Sequence, residues 1–484
     1  MSTQFLEKLF HAAPKSRPDL TAIADLVGTS PEALEAFEQA YHKAEFHGLS
    51  DNLFQINSRQ AAAEKEGVAE GQNENLVQRV ASELVSQSIV YDFNGKTGTV
   101  IDFQRELSNE QTVSKDEIKN ADPASSPMLT GRFIHVDVPG SGEALLNTYL
   151  DMQNTKNPKL RKAKYDHFRQ GLDILDMDNI MWEMIDTNPN SMGNWLPYIA
   201  GPVVDAGFFR IPKTRIAKLP IAVMQLMREF DYMELNRATL DVIDRWCYEI
   251  FGLQLDQDYF IKTGTHCSKF DFRNAKVTGT KEVRELGEYL LFLHMQDLRM
   301  AQYDLSGRNQ PVIYGVSTTT EWVVREFIPD VENNKAIYHG LPLHTEYRVF
   351  VDFDTDKVLG VHNYWDPDTM LKHFAGRAAH PLPDGQTDVD AVHDFVTFQA
   401  NMKRLVSRFE ANRDRIAEKV QEFLPDVPLS GQWSVDIMQN GSNFWLIDMA
   451  KAENSAFYKE TVALSDQKPS VENWLPKISK SLIF

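Results

Sequence analysis

The amino-acid sequence predicts an α+β protein with a mostly helical N-terminal extension. The strand signals are hairpins: apolar and polar residues alternate on both sides of Asn94 and Gly95, and again on both sides of the segment QNGS at residues 439–442. Before and between these hairpins, apolar residues recur at helical spacing. Hairpins and amphipathic helices in one chain indicate the α+β class.

Length, charge and cysteine content limit the class of protein. The chain has 484 residues and a mass of 55.3 kDa, which is enough for two or three domains. Its net charge of -19 argues against passive binding to nucleic-acid phosphates, although a local basic pocket is compatible with it. The two cysteines, Cys247 and Cys267, suit a reducing compartment and exclude a disulfide framework. With no secretory signal and no long apolar segment, we expect a cytoplasmic protein without membrane contact.

Three regions are expected along the chain. Residues 1–72 form a helical N-terminal segment and a linker, because Ser30 and Pro31 suit a helix start and the last part of the segment is polar and weakly patterned. Residues 73–207 form an accessory α/β region that is large enough for substrate recognition. Residues 208–484 contain the charged strands described below.

Several helices are predicted in this last region from apolar spacing and capping residues. One covers residues 237–251, one starts with Thr280 as its N-cap, and a pair lies between Val389 and Phe423. The charges of this pair indicate a solvated face. Cys247 is expected to be a buried apolar group rather than a nucleophile.

A lysine follows a short predicted strand at residues 259–261. Lys262 leads into a loop that carries Gly264, Ser268 and Lys269. Lysine charges and loop donors of this kind are suited to a polyphosphate. The loop lacks the GxxxxGK[ST] spacing of a Walker A motif, so this signal alone is not specific.

Two predicted strands carry charges although their other residues suit burial. Residues 322–328 include Arg325 and Glu326, and residues 346–351 include Arg348. An unpaired buried ion is costly, so these groups need internal partners or a ligand. Ion pairs between neighbouring arginines and glutamates and a ligand-binding site are both compatible with this pattern.

The last hairpin places two acids inside apolar strands. Strands at residues 433–438 and 443–449 contain Asp436 and Asp448, with the turn about midway between the two acids. Two close carboxylates repel each other unless a cation lies between them, and Mg²⁺ is held by such groups together with substrate phosphates. The alternative is that both are surface acids near a turn.

In this order, the features resemble the ATP-grasp superfamily over residues 208–458. The resemblance rests on strand-borne Lys262, the strands VVREFI and EYRVFV, and the hairpin with Asp436 and Asp448. Within the superfamily, the chain is similar to assembly chaperones of the cell division cycle 123 type, which act on eukaryotic translation initiation factor 2. It also resembles a largely bacterial and phage group in which arginine replaces a nucleotide-binding lysine. An ATP-grasp domain at residues 208–484, holding the nucleotide between two α+β lobes, is therefore expected.

The resemblance implies roles for residues that contact the phosphates. Lys262 would contact the α- and β-phosphates, and Ser268 and Lys269 would lie on a flexible loop over the triphosphate. Arg348, oriented by Glu346, would reach the γ-phosphate or the bound substrate. Lys262 and Arg348 are therefore the catalytic candidates.

The resemblance also implies an adenine site beside the first charged strand. Arg325 stands where many members have the nucleotide-binding lysine. Glu326, Phe327 and Ile328 would form the hinge next to adenine, mostly through backbone groups.

For the metal, the resemblance implies that Asp436 and Asp448 hold Mg²⁺. Family members usually have an asparagine two residues after the second acid, where this chain has Ala450. Glu453 or Asn454 could supply the missing oxygen, or the metal could be held by fewer protein ligands.

The function implied by such a site is that of an ATP-dependent ligase, which activates a carboxylate as an acyl phosphate for attack by an amine. One alternative is an ATP-binding protein-assembly chaperone. Another is a nucleotidyl or phosphoryl transferase acting on protein or RNA, although the acidic balance argues against a nucleic-acid partner. The partner would be a small-molecule or peptide carboxylate, or a protein client.

Overall fold

The computed structural model describes residues 71–103, 188–308, 319–379 and 386–468, with shorter pieces between 20 and 35, 53 and 57, 110 and 113, and 151 and 186, and residue 382. Helices and mostly antiparallel sheets occur together in these residues, so the predicted α+β class is confirmed. None of the helices in the described ranges has both the length and the apolar character needed to cross a bilayer.

Strands occur from the accessory region to the last hairpin. In chain order they are β1 (Ile89–Phe93), β2 (Gly98–Asp102), β3 (Glu110–Val113), β4 (Phe209–Arg210), β5 (Thr214–Lys218), β6 (Tyr259–Thr263), β7 (Lys276–Val277), β8 (Glu321–Glu326), β9 (Ala336–Ile337), β10 (Leu341–Pro342), β11 (Thr345–Asp352), β12 (Lys357–Asn363), β13 (Gln432–Asn440) and β14 (Asn443–Lys451).

Helices flank these strands. They are α1 (Leu20–Val27), α2 (Gly71–Ser86), α3 (Leu196–Ala206), α4 (Ile221–Glu229), α5 (Arg237–Ile250), α6 (Gly279–Arg284), α7 (Leu286–Arg308), α8 (Pro367–Ala379), α9 (Val389–Phe423) and α10 (Tyr458–Thr461).

The first sheet, counted over the described residues, has seven antiparallel strands in the order β3-β2-β1-β5-β8-β6-β7. Its β1–β2 hairpin is the one predicted at Asn94 and Gly95, and Gly95 adopts the left-handed φ of +94° that favours glycine. Because β1 pairs with β5, residues 73–207 and residues 208–484 build one sheet together. The predicted domain boundaries remain predictions.

The second sheet has the described strands in the order β12-β11-β13-β14-β4, antiparallel except where β4 lies parallel to β14. The hairpin predicted around QNGS is confirmed as β13 and β14, which turn at Gly441 with a φ of +63°. β13 is longer than predicted at both ends, and β14 is longer than predicted at its C-terminal end.

Two large apolar cores hold most of these elements together. One packs α2, α4, α5 and α7 against the first sheet, with the rings of Trp246 and Trp322 5.3 Å apart. The other joins both sheets with α3 and α9, and includes Trp195, Tyr347 and Phe409. The second core thus fixes the two sheets against each other.

Two helix predictions are corrected. Residues 389–423 form one helix instead of the predicted pair, since the segment contains neither glycine nor proline. Asn401 and Asn412, which could have broken it, donate their side-chain amides to carbonyls four residues earlier. The helix predicted from Thr280 starts at Gly279 with Thr278 as N-cap and ends at Arg284, after which α7 begins at Leu286.

Candidate functional site

A cleft of about 420 Å³ lies between the two sheets. β6 and β8 contribute one wall, and β11, β13 and β14 contribute the other. Most residues selected from the sequence line it: Lys262, Lys269, Arg325, Glu326, Phe327, Ile328, Glu346, Arg348, Asp436, Asp448 and Asn454. Ser268 and Glu453 are not among its lining residues. Ser268 is buried at the start of a 3₁₀ turn, and Glu453 borders a second cavity of about 380 Å³.

A row of ionisable side chains crosses the second sheet. Asp436 on β13 lies opposite Asp448 on β14, and Arg348 on β11 lies opposite Asp436. On the other side of Arg348, β12 places His362. Directly opposite residues of neighbouring strands present their side chains on one face, so the register brings these groups together.

Each acid of this row has a cationic partner. Arg348 donates from Nε and Nη2 to the two carboxylate oxygens of Asp436, at 2.8 and 2.6 Å. Lys262 crosses from the first sheet and donates from Nζ to Oδ2 of Asp448 at 2.8 Å. The side chain of Lys262 is only 2% exposed, whereas that of Asp448 is 35% exposed. The predicted phosphate ligands and the predicted metal ligands therefore pair with each other.

Arg325 is buried between the two sheets. Its Nε donates to Thr214 Oγ1 at 3.0 Å and its Nη1 donates to the carbonyl of Ile447 at 2.5 Å. Burial lowers the pKa of Arg325 to about 10, although the carboxylate of Asp448 opposes the shift. Its Nη2 is also buried and has no partner among the described residues. A buried donor without a partner in the wall of a cleft is available to a ligand.

Neither arginine makes the glutamate ion pair that the sequence left open. Within the described part of the chain, Arg348 binds Asp436, and Arg325 binds a hydroxyl and a backbone carbonyl. The charged strands thus face a shared cleft.

An aromatic side chain that sequence reasoning missed holds two cations of the cleft. Lys269 Nζ lies 4.5 Å and Arg348 Cζ lies 4.8 Å from the ring centroid of Tyr364. Cations over the face of an aromatic ring are attracted by its quadrupole. The sequence signal was the aromatic pair that follows β12, which by itself indicates a loop.

The cleft also contains a buried carboxyl group. Burial raises the pKa of Glu346 to about 7, with Asp436 acting in the same direction and Lys269 opposing the shift. Trp365 donates from Nε1 to Oε1 of Glu346 at 3.3 Å. Glu346 thus changes its charge near neutral pH.

Backbone hydrogen bonds hold the start of the loop that follows Lys262. Thr263 N donates to the carbonyl of His266 at 2.9 Å, and Gly264 N donates to the carbonyl of Glu321 at 2.9 Å. Burial lowers the pKa of His266 to about 4, with Lys262 and Lys269 adding to the shift. His266 is therefore neutral beside two lysines.

The hinge segment borders an apolar part of the cleft. The backbone N–H groups of Glu326 and Phe327 donate to Lys213 and Asp258 carbonyls. Among the described residues, the N–H of Ile328 has no partner. Apolar side chains surround this segment in the cleft wall: Phe260, Phe272, Leu341 and Pro342. A flat heterocycle with an acceptor atom fits these surroundings.

The acidic edge offers a partial ligand set for a metal. In the described ranges, no group of three or more histidine, cysteine, aspartate or glutamate side chains is placed to hold an ion. Asp436 and Asp448 are nevertheless opposite each other, and Asn454 lines the same cleft. Two carboxylates fit Mg²⁺ when phosphates and water complete its shell.

Asn190 is the second residue that sequence reasoning missed. Its side chain is 3% exposed and lies in the cleft wall, although it precedes the region of resemblance. It belongs to the stretch NPNSMGNW, where the sequence indicated only irregular structure.

Comparison with known proteins gives matches among solved structures. No protein-family model matches the sequence. No curated protein matches it. Two solved structures of Cdc123 from Schizosaccharomyces pombe are similar to this chain. A C-terminally truncated form matches with 13% sequence identity and a TM-score of 0.31 over 60% of this chain and 95% of that chain. The other structure matches with 15% identity and a TM-score of 0.29 over 56% of this chain and 85% of that chain.

Proposed function

We propose that this chain binds ATP together with Mg²⁺ in the cleft between its two sheets, as an ATP-grasp domain within residues 208–484 would. The observation that carries the proposal is the convergence of cations, acids and an apolar hinge segment on one cleft. Lys262, Lys269 and Arg348 line it together with Asp436 and Asp448. A nucleoside triphosphate has a group for each of these features: a base, a polyphosphate and a bound metal.

The cationic side chains of the cleft would bind the phosphates of ATP. Lys262 and Arg348 lie on opposite walls of the cleft, and Lys269 and Arg348 both contact the ring of Tyr364. Positive side chains placed around a triphosphate neutralise charge that develops during phosphoryl transfer. The free Nη2 of Arg325 provides a further donor from the cleft wall.

The base would lie against the hinge. Phe327 and Ile328 provide apolar contact, and the N–H of Ile328 is available to an acceptor atom of the ring. The rings of Phe272 and Phe327 are 6.4 Å apart, and Lys276 lies over the Phe327 ring at 4.4 Å.

Asp436 and Asp448 would hold the metal, with phosphate oxygens completing its shell. When bound, Mg²⁺ neutralises phosphate charge and orients the triphosphate. Both acids would exchange their present cationic partners for the metal while the cations pass to the phosphates.

The bound ATP would, in one function, serve a protein-assembly chaperone. Ala450 contributes no oxygen beside the acids, and both acids already have cationic partners. Such a site suits holding a nucleotide more than rapid turnover. The nucleotide would then order the side chains of the cleft walls for a protein client.

A carboxylate–amine ligase is the second use, and a different observation favours it. The second cavity meets the cleft at Ser455, which lines both. A substrate carboxylate placed there could attack the γ-phosphorus, forming an acyl phosphate and releasing ADP. An amine would then displace inorganic phosphate and lose its proton, leaving an amide.

The identity of the nucleotide product tests these uses. Purified protein is incubated with Mg²⁺ and labelled ATP, with and without cell extract, beside Asp448→Ala and the surface control Asp414→Ala. ADP that forms only with extract and is lost in Asp448→Ala indicates a ligase or a phosphoryl transferase, and the acceptor can then be fractionated from the extract. ATP that is bound through Asp448 but not consumed indicates the chaperone.

Two other results change the proposal. AMP as product would indicate nucleotidyl transfer. Absence of ATP binding by the unmodified chain, measured by calorimetry, would overturn the proposed function itself. The surface side chain of Asp414 is 97% exposed, so Asp414→Ala should behave as the unmodified chain in every assay.

A further inference from the structure

A short segment ahead of the proposed ATP-binding region contacts both walls of the cleft. Met192 N donates to the carbonyl of Gly264 at 3.0 Å, in the loop that follows Lys262. Asn190 contacts the other wall, at the end of β14. Residues 190–192 thus bridge the loop of one sheet and the acidic hairpin of the other.

The orientation of the Asn190 amide is fixed by its partners. Its Oδ1 accepts from the backbone N–H of Lys451 at 2.8 Å, and a backbone N–H can only donate. Its Nδ2 must therefore be the atom that faces Asn454, and it donates to Asn454 Oδ1 at 3.1 Å. A 3.3 Å contact from Nδ2 to Asn188 Oδ1 agrees with this assignment.

Without the hydrogen bond from Asn190, little would hold the side chain of Asn454 in one rotamer. Its side chain is exposed, lies in a 3₁₀ turn of three residues, and lines the cleft near the hairpin that carries Asp448. An exposed asparagine loses side-chain entropy when it is held in one rotamer. The buried amide of Asn190 supplies the bond that offsets this loss.

We propose that Asn190 is a positioning residue, which holds Asn454 Oδ1 at the acidic edge of the cleft as an oxygen donor toward the metal of bound ATP. The inference rests on the proposed function. Amide oxygens are ordinary ligands of hard divalent cations, and outer residues that orient a ligand are often needed for full metal affinity. Asn190 acts through Asn454 and does not itself bind the metal.

The test uses Mn²⁺ as the probe and the full chain with a non-hydrolysable ATP analogue. Electron paramagnetic resonance measures Mn²⁺ affinity of the protein–nucleotide complex, and calorimetry with chelator measures nucleotide affinity without metal. We expect Asn190→Ala and Asn454→Ala each to weaken Mn²⁺ binding by about tenfold. Nucleotide affinity in chelator should stay the same.

The double variant tests whether the two residues act as a unit. Asn190→Ala with Asn454→Ala should weaken Mn²⁺ binding no more than either change alone. Multiplicative losses would overturn the inference, because they would mean that Asn190 acts independently of Asn454.

Asn440→Ala is the matched control. Asn440 is also 3% exposed, and its amide also both donates and accepts, donating to Pro329 O and accepting from Val331 N, but it is not in the cleft wall. It should lower stability as Asn190→Ala does, while leaving Mn²⁺ affinity unchanged.

Each remaining outcome has one meaning. Unchanged Mn²⁺ affinity in Asn454→Ala overturns the inference, and this exposed position decides the question even if Asn190→Ala fails to fold. If Asn190→Ala weakens Mn²⁺ binding and metal-free nucleotide binding equally, the role of Asn190 is purely structural. If the unmodified chain binds no nucleotide, the result overturns the proposed function, and the inference falls with it.

Discussion

The ion pairs of the cleft connect residues that would serve different parts of one ligand. Lys262 pairs with Asp448 and Arg348 pairs with Asp436, so each predicted phosphate ligand holds a predicted metal ligand. A charge with a nearby opposite partner is a weaker ligand for a second charge. We therefore expect metal and nucleotide to bind cooperatively, since each releases the ligands of the other.

Removal of the charge of Lys262 or Arg348 should change the affinity for ATP and the affinity for Mn²⁺ without nucleotide in opposite directions. Lys262→Gln or Arg348→Gln should weaken ATP binding by about tenfold or more, because a charge-assisted hydrogen bond is lost. The same variants should bind Mn²⁺ without nucleotide about threefold more tightly, since one carboxylate loses its partner. Paramagnetic resonance and calorimetry measure the two affinities. Arg413→Gln, on the exposed surface of α9, is the control, and unchanged nucleotide-free Mn²⁺ binding would contradict the prediction.

Glu346 should make stability depend on pH in a defined direction. Burial raises its pKa to about 7 in the folded protein, so between the ordinary glutamate pKa and pH 7 the folded state binds more protons than the unfolded state. Its contribution to stability therefore falls as pH rises through this window. Glu346→Gln should be more stable than the unmodified chain. The difference in their free energies of unfolding should be about 2 kcal/mol larger at pH 8 than at pH 5.

Urea unfolding at the two pH values tests this expectation. Glu410→Gln, a change of an exposed glutamate on α9, should alter stability equally at both. If Glu346→Gln gives the same difference at pH 5 and pH 8, Glu346 is not the group that titrates.

Among the structural elements, those with strong local signals were predictable. The turns at Gly95 and Gly441 adopt positive φ, so glycine in the sequence marked both hairpins. The closeness of Asp436 and Asp448 followed from the turn that lies about midway between them, and a β-bulge beside Asp436 brings the two into direct opposition. Strand lengths and helix ends were less accurate because they depend on packing, as the joined helix α9 demonstrates.

Residues supplied from distant parts of the chain were not predictable. Asn190 meets Asn454 across 264 positions, and Tyr364 reaches the cleft only because β12 lies beside β11. Nothing in the composition or spacing of either neighbourhood indicates a site. Arg325, Arg348, Asp436 and Asp448 were found because each lies inside an apolar strand, where an unpaired charge is costly.

The continuity of α9 predicts the effect of a proline at its middle. Ser407 is exposed and lies near the centre of the helix, so Ser407→Pro removes one helical hydrogen bond and clashes with the preceding turn. We expect a loss of about 3 kcal/mol or more in the free energy of unfolding. Ser407→Ala should change it by less than about 0.5 kcal/mol. Denaturant unfolding gives both values, and a proline variant as stable as the alanine variant would mean that a break is tolerated there.

Across the molecule, the accessory region is bound to the rest through a buried ion triad. Lys218 on β5 donates from Nζ to Asp186 at 2.5 Å and to Glu321 at 2.6 Å, and all three side chains are at most 2% exposed. Burial lowers the pKa of Lys218, but Asp186 and Glu321 outweigh this effect and raise it above its usual value. Glu321 Oε2 also accepts from the backbone N–H of Gly193 at 2.8 Å.

Loss of the central lysine should be costly. Lys218→Met leaves two carboxylates buried without their cation, and we expect the free energy of unfolding to fall by about 3–5 kcal/mol. Lys419→Met is the control, because Lys419 pairs with Glu422 at the surface and such pairs contribute at most about 1 kcal/mol. Denaturant unfolding compares the two. A Lys218→Met variant no less stable than Lys419→Met would mean that the triad does not hold the regions together.

The sharing of the first sheet predicts that residues 208–484 do not fold alone. Without residues 1–207, β5 loses its neighbour β1, and the core between the sheets loses α3 with Trp195 and Tyr198. An open strand edge and an exposed apolar core favour aggregation. We expect a 208–484 fragment to be largely insoluble or to unfold without a cooperative transition, while the full chain unfolds cooperatively. Expression of both, followed by circular dichroism on heating, tests this. A fragment that melts cooperatively and binds ATP would establish the boundary at residue 208 as a true domain boundary.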